Sequence, residues 1–332
     1  MIGRGRDLSE PRDRMELTVK AHDRVRLDVY LREALVWKSR RRIQGLIRKG
    51  HILVNGRPAK PAQGVRGGDR VEVRLSMGTG IPEDYRRREV AVIYEDPWLL
   101  AVDKPPGLLV HPVGRHVYDT LMNYLHFRYL SREDPAEAGA RRADRHASEI
   151  DESVSPRLCH RIDKDTTGII MVAKESYVHQ RMQWQFQHRR VSKEYLALVA
   201  GRVPADLAEI KLPIGEGRDL AEALLPPLRP AHTLVKTVEA FEGPSGSFTL
   251  VAARPVTGRQ NQIRVHLAAI GHPNAGDRRY GGPTVPGFPQ RYLLHARRIR
   301  FDHPRRKCPV ELEAALPADF QELLRGLRLP GR

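Results

Sequence analysis

The sequence is poor in cysteine. Two thiols in 332 residues, Cys159 and Cys308, build no disulfide framework. Neither they nor the 14 histidines fall at a regular metal-ligand spacing, so no metal is expected. Long apolar runs are missing too. No stretch is long enough to span a bilayer, and the first 20 residues are charged and lack the apolar core of a secretory signal. Together these absences point to a cytoplasmic protein with no membrane partner. Acid is scarce relative to base: 40 Asp+Glu stand against 57 Lys+Arg, a net charge of +17. An excess of that size argues for a polyanionic partner, nucleic acid first, over mere solubility charge. Residues 1–75 hold 19 Lys/Arg and 9 Asp/Glu, a net of +10, so most of the excess sits in the first quarter of the chain.

What is present begins with residues 1–17, mixed in charge and expected to be a flexible tail. From Arg26 a helical pattern sets in, with Leu27, Leu31 and Leu35 on one face. A second helix is predicted from Ser39, a candidate N-cap, to Gly50, with Ile43, Leu46 and Ile47 as its apolar stripe. Its other face carries Arg40, Arg41, Arg42, Arg48 and Lys49 almost without acids, which suits a phosphate backbone. The stretch His51–Val54 followed by Asn55-Gly56 reads as a strand and tight turn, and Val71 and Val73 as a closing strand. Residues 18–76 thus form one small domain. Residues 77–89, with Gly78, Gly80 and Pro82, read as a linker.

A larger domain is expected over 90–328. Val90–Tyr94 and Leu99–Val102 read as buried strands, followed by the proline-stiffened loop Asp103-Lys104-Pro105-Pro106-Gly107, whose Lys104 is placed to meet phosphate. A helix is expected over Thr120–Leu130. Residues 132–155 are polar and aperiodic, a long insertion. The densest polar stretch is His160-Arg161-Ile162-Asp163-Lys164-Asp165-Thr166-Thr167-Gly168, which feeds the apolar run Ile169–Ala173. A polar loop entering a buried strand is how a scaffold presents side chains. Asp163 lies between two cations that favour its charged form, which suits attack or charge stabilisation; an ordinary salt-bridged loop explains the spacing equally well. Cys159 beside it is either a nucleophilic thiol or, by default, a small packed side chain. Ser176 is a candidate cap for a helix reaching His188, whose Met182, Trp184 and Phe186 read as packing. Lys193–Gly201 reads as a buried strand carrying Tyr195, Phe248–Pro255 as another. Thr257–Leu267 reads as a turn and helix, with Arg259 and Arg264 either surface charges or site residues, and Pro317–Leu327 as a closing helix.

These stretches carry a resemblance. His-Arg-Ile-Asp-x-x-Thr-Thr-Gly at 160–168 resembles the His-Arg-Leu-Asp-x-x-Thr-Ser-Gly signature of the RluA-type pseudouridine synthases. Lys104-Pro105 through His111-Pro112, Lys193–Gly201 and Thr257–His266 resemble further motifs of that family, with Asn261 where the family has His. Residues 24–75 resemble the small RNA-binding module of the ribosomal-protein S-four type, through Arg26-Leu27-Asp28, Ser39-Arg40, Ile47–Gly50, Val54–Gly56 and Gly68-Asp69. The resemblance implies an α+β fold, with a catalytic domain on a large, mainly antiparallel mixed sheet and a small N-terminal α/β RNA-binding domain. It implies conversion of uridine to pseudouridine in RNA, without a cofactor. Large-subunit ribosomal RNA is the favoured substrate and transfer RNA the alternative, and a monomer is expected. By the same resemblance Asp163 is catalytic, Arg264 is its partner, Tyr195 stacks on the base, and Arg161 steadies the flipped nucleotide. Three other readings compete. A catalytically dead RNA-binding assembly factor would not need Asp163, Tyr195 and Arg264 intact. A kinase-like enzyme lacks its Gly-rich phosphate loop. A two-carboxylate glycosidase using Asp163 and Asp165 fits poorly with the charge.

Overall fold

The computed structural model describes residues 14–20, 24–34, 40–60, 62–74, 89–112, 119–130, 156–243, 246–285 and 291–328. The expected linker at 77–89 and the insertion at 132–155 lie almost wholly outside these residues, as do Leu35 and Ser39. Two compact units emerge. One spans the described residues up to 74 together with 111–112 and 119–130; the other holds 89–110 and 156–328.

The first unit contains β1 (Arg14–Thr18), β2 (Val25–Arg26), α1 (Leu27–Ala34), α2 (Arg40–Arg48), β3 (Ile52–Val54), β4 (Arg57–Pro58), β5 (Gly64–Val65) and β6 (Arg70–Arg74). Its main sheet has the order β1-β6-β3-β4. Leu27 and Leu31 of α1 and Ile43 and Ile47 of α2 close over Ile52, Val71 and Val73, all at most 2% exposed. Asn55 and Gly56 both have positive φ, the backbone that the tightest hairpin turns require. Of the tail expected over 1–17, residues 1–13 lie outside the described residues, and only the last four need correcting: Arg14–Leu17 pair antiparallel with β6. Their charges hide a period-two pattern in which Met15 and Leu17 pack on the core.

Asp28, at 0% exposure, ties the two helices together. It accepts from Arg26 (3.1 and 3.2 Å), from Arg40 (2.9 and 3.0 Å) and from Gln44 (2.9 Å). The Arg26 hydrogen bonds, opposed by burial and helped by Gln44 and Arg40, hold its carboxyl well below the usual carboxylate range. A depressed pKa stabilises the fold at neutral pH and above the unfolded value near 4, and that stability is lost as pH falls through the folded pKa. Asp28→Ala is expected to cost this unit about 1–3 kcal/mol at pH 7, and less as pH drops below 4. Thermal melting across pH checks this; an equal cost at pH 3 and pH 7 would contradict it.

The second unit contains β7 (Ala91–Glu95), β8 (Leu99–Lys104), β9 (Arg157–Leu158), β10 (Thr167–Ala173), β11 (Ser192–Ala200), β12 (Glu209–Ile210), β13 (Thr233–Gly243), β14 (Gly246–Pro255), β15 (Leu294–Asp302) and β16 (Pro309–Glu313). Helix α3 (Leu121–Leu130) groups with the first unit. Helices α4 (Ser176–Gln187), α5 (Leu220–Ala223), α6 (Gln262–Ala269) and α7 (Ala318–Arg328) belong to the second. The sheet runs β12-β13-β14-β11-β15-β10-β8-β7, with β16 on β15 and β9 on β10. Every pairing in it is antiparallel except β10 with β15. This is the large, mainly antiparallel mixed sheet expected.

β10 is buried on both faces, which explains its unbroken apolar run. Ile169, Met171 and Ala173 pack against Val178 and Met182 of α4. Leu196, Leu198, Phe248 and Leu250 pack against Phe320 and Leu324 of α7. The predicted buried strand at 90–94 is an edge strand, with Ala91 and Val92 exposed, because β7 has only β8 as a neighbour. The expected cap Ser176 is not one. The N-cap is Glu175, without a side-chain cap bond, and the Ser176 hydroxyl accepts from Arg157 at 3.2 Å. Among the described residues no helix is long and apolar enough to cross a membrane.

Candidate active site

The polar stretch 160–166 enters the sheet where its one parallel pairing occurs. Thr167 registers with His295 and Gly168 with Ala296, while Tyr195 on the next strand also registers with Ala296. Strand order therefore brings Tyr195 into line with the end of the loop. Gly168 has φ +101°, and a Cβ there would overlap the carbonyl oxygen of Ala296, so only glycine lets the strands approach this closely. His160, whose pKa burial pushes down to about 3, is neutral, and its Nε2 accepts from the Met171 amide at 3.0 Å. Thr167 Oγ1 lies 2.9 Å from His295 Nδ1, and His295 Nε2 lies 3.2 Å from the Ala314 carbonyl. Burial lowers the His295 pKa to about 4. The neutral ring then donates from Nε2 and accepts the Thr167 hydroxyl proton at Nδ1.

Lys104 holds the same loop from β8. It is 0% exposed, and its Nζ donates to the carbonyls of Pro105 (2.8 Å), Leu108 (3.0 Å) and Lys164 (2.7 Å). Burial pushes its pKa down to about 7, yet only the ammonium form supplies three protons to three carbonyls. The expectation that Lys104 meets phosphate is thereby corrected. The side chain has no face toward solvent, and its donors clamp the Asp163 loop to the turn after β8.

Asp163 stands partly exposed at the wall of a cleft of about 780 Å³, together with Arg161, Tyr195 and Arg264. Its Oδ2 lies 3.5 Å from Arg264 Nη1. Arg264 is 6% exposed, not a surface charge, because α6 is buried almost all round. Its Nε and Nη2 donate to Asp277 at 2.7 and 2.8 Å, and Nη1 donates to Asn261 Oδ1 at 3.0 Å. The guanidinium lies 3.8 Å over the Tyr292 ring centroid and 4.8 Å from that of Tyr280. Burial opposes its charge, but Asp277, Tyr292 and Asp163 more than restore it and raise the pKa. One fork thus fixes the guanidinium while the remaining amine faces Asp163. Tyr195 is 9% exposed; burial first, and the Asp163 charge second, raise its pKa, so it stays a neutral phenol. Cys159 is 2% exposed and burial pushes its thiol up to about 12, which removes it as a nucleophile. Among the described residues no cluster of His, Cys, Asp and Glu could hold a metal.

Sequence comparison decides what this cleft belongs to. The profile of the family described as RNA pseudouridylate synthase matches residues 98–269, which hold Asp163, Tyr195 and Arg264. The chain belongs to the RNA pseudouridylate synthase family. The profile of the S4 domain matches residues 25–71. An uncharacterized RNA pseudouridine synthase of Bacillus subtilis is 34% identical over 92% of this chain and 95% of that protein. Ribosomal large subunit pseudouridine synthase D of Neisseria meningitidis is 33% identical over 97% of this chain and 84% of that protein. The solved structure of human RNA pseudouridylate synthase domain containing 4 has the same fold, with TM-score 0.53 and 24% identity over 73% of this chain and 94% of that one.

This RNA pseudouridylate synthase carries Asn261 where the resemblance expects His. Asn261 is the N-cap of α6 at φ +54°, a backbone that asparagine tolerates well, and its amide oxygen receives the Arg264 proton. Asp277 and Tyr292, the two groups that fix Arg264, went unrecognised as site residues in the sequence. The signal for Asp277 was a carboxylate amid Gly276, Arg278 and Arg279. Tyr292 gave none beyond its closeness to Leu294-His295-Ala296. In the S4 domain, Arg41, Arg48 and Lys49 are exposed, whereas Arg40 is bound to Asp28; the Arg42 side chain lies outside the described residues.

Proposed function

We propose that Asp163, Arg264 and Tyr195 convert a uridine of large-subunit ribosomal RNA to pseudouridine. The observation that carries the assignment is the Asp163 carboxylate held 3.5 Å from Arg264 at the wall of a nucleotide-sized cleft. The reaction breaks the C1′–N1 bond, turns the base, and joins C1′ to C5; the C5 hydrogen leaves as a proton and N1 gains one. Nothing is oxidised and no group is carried away, so the chemistry calls for no cofactor. A carboxylate serves by attacking C1′ or by taking a sugar proton, and either route is aided by a cation that cannot move away. The neutral ring of Tyr195 offers a face to the base. A uridine inside a helix must first leave its stack, and on this reading Arg161 steadies the flipped nucleotide, which its exposure at the cleft without an ion pair among the described residues supports. Relatives named for the ribosomal large subunit and an RNA-binding module at the N-terminus support ribosomal RNA as the substrate. On this reading the protein works as a monomer in the cytoplasm.

Transcripts labelled with tritium at uridine C5 test the substrate, since each isomerisation releases one tritium to water. Release from large-subunit RNA, without added metal or nucleotide, is expected. Release from transfer RNA alone would overturn the ribosomal assignment, and release from neither would overturn the proposal.

The S4 face makes a separate prediction. Replacing Arg41, Arg48 and Lys49 with Gln is expected to weaken RNA binding and to flatten its salt dependence by roughly one unit for each phosphate no longer neutralised. Arg40 is left out because its removal would also untie Asp28. A titration series across salt checks this, and unchanged affinity and slope would refute the role of that face.

A further inference from the structure

Helix α4 contains no Asp or Glu. Its inner face buries Val178, Met182 and Gln185. Its outer face carries Tyr177, Arg181, Trp184 and His188 at steps of four, three and four residues, which is one stripe of the helix surface continued into the following turn. The expectation that Trp184 is a packing residue therefore fails: it is 43% exposed and Tyr177 is 48% exposed, while Met182 on the opposite face is fully buried. Single exposed aromatics are ordinary, but these two are built into cation and ring stacks. The His188 ring lies on Trp184 at 4.4 Å and 24°, oriented by a 2.8 Å hydrogen bond from its Nδ1 to the Trp184 carbonyl. Arg181 sits 5.4 Å from the Trp184 centroid, and Arg305, held at 2.7 Å by the N-cap carboxylate of Glu175, sits 4.6 Å over Tyr177. The end of the same helix enters the catalytic cleft through Gln183, Phe186 and Gln187.

We propose that this face is a stacking platform for the unpaired nucleotides that flank the target uridine. The inference rests on the reading of the cleft as an RNA site. Exposed aromatic rings with the Arg181 guanidinium beside Trp184, on a helix without acids between Ser176 and Gln187, are what unpaired nucleic acid requires: π-faces for bases and charge for phosphates. A duplex offers no base faces to such a surface. Tyr177 and Trp184 are seven residues apart, about 10 Å along the axis, roughly the rise of three stacked nucleotides. A base added beside Trp184 extends a stack that His188 has begun.

The full-length protein is titrated with a labelled 12-nucleotide oligouridylate, and separately with large-subunit ribosomal RNA. Trp184→Ala and Tyr177→Ala are each expected to weaken oligouridylate binding about tenfold without changing its salt slope, since a missing stack releases no counterion. Trp184→Phe restores most of the affinity. Arg181→Gln instead lowers the slope by about 0.7. Tryptophan fluorescence of the wild type is quenched by oligouridylate, and that quench is absent from Trp184→Phe. Melting of each variant separates a missing stack from a damaged fold, and the Phe variant keeps the test decisive if the Ala variant unfolds. Wild-type protein that binds ribosomal RNA but not oligouridylate, or equal affinity and quench in all variants, overturns the platform alone. Wild-type protein that binds neither RNA overturns the reading of the cleft beneath it.

Discussion

Asp163→Asn is expected to slow pseudouridine formation on the order of 10⁴-fold while leaving RNA affinity close to wild type. The substitution keeps the size and planarity of the side chain and removes only its charge. Asparagine can still face Arg264 Nη1 across the present 3.5 Å, so the cleft wall should keep its shape. What disappears is a group able to attack C1′ or to accept a sugar proton. Asp165, two residues on, does not substitute for it, because the carboxylates that pair with Arg264 are those of Asp163 and Asp277. Single-turnover tritium release with saturating enzyme measures the chemical step, and a filter-binding titration measures affinity. A variant that turns over within tenfold of wild type would remove Asp163 from the centre of the mechanism.

Asp277→Ala is expected to have the largest effect on stability. Asp277 is 1% exposed and takes two hydrogen bonds from Arg264 at 2.7 and 2.8 Å. Removing it leaves a buried guanidinium without its bidentate partner, and breaking one side of a buried pair costs roughly 3–5 kcal/mol. Gly276 and Gly282 on either side fit only because they lack a Cβ: one there would overlap the carbonyl oxygens of Arg291 and Asn274. Activity should fall with stability, since the fork that aims Nη1 at Asp163 is gone. Combining Asp277→Ala with Arg264→Met should recover part of the stability, because no unpaired charge is then buried, but none of the activity. Denaturant unfolding and single-turnover rates, measured on both variants, test the two halves. Wild-type stability in Asp277→Ala would show that Arg264 is held by its ring contacts instead.

Much of the fold was legible because its signals are local. The run Ile169–Ala173 marks a strand buried on both faces, Asn55-Gly56 marks a tight turn, and the apolar residues of α1, α2, α6 and α7 mark faces that are buried. Asp163, Tyr195 and Arg264 were nameable only through resemblance, since nothing local distinguishes a catalytic carboxylate from a salt-bridged one. What stayed hidden is pairing at a distance. That Arg264 is buried depends on Asp277 and Tyr292, which no helical period connects to it. Lys104 looked like a phosphate contact because prolines and a glycine surround it. Its three carbonyl partners include one 60 residues away. Trp184 looked like core because it neighbours Met182 and Phe186, and only the angular position of each residue around α4 separates them. The strand Arg14–Thr18 was masked by its charges, although Met15 and Leu17 alternate as a half-buried edge demands.

The most direct test of the account is a position-resolved pseudouridine map of unmodified large-subunit ribosomal RNA after incubation with the pure protein, a metal chelator present, beside the same reaction with Asp163→Asn. New pseudouridine is expected at one or a few discrete positions with the wild type and none with the variant. Tight binding with no new pseudouridine, or the same map from both proteins, would contradict it.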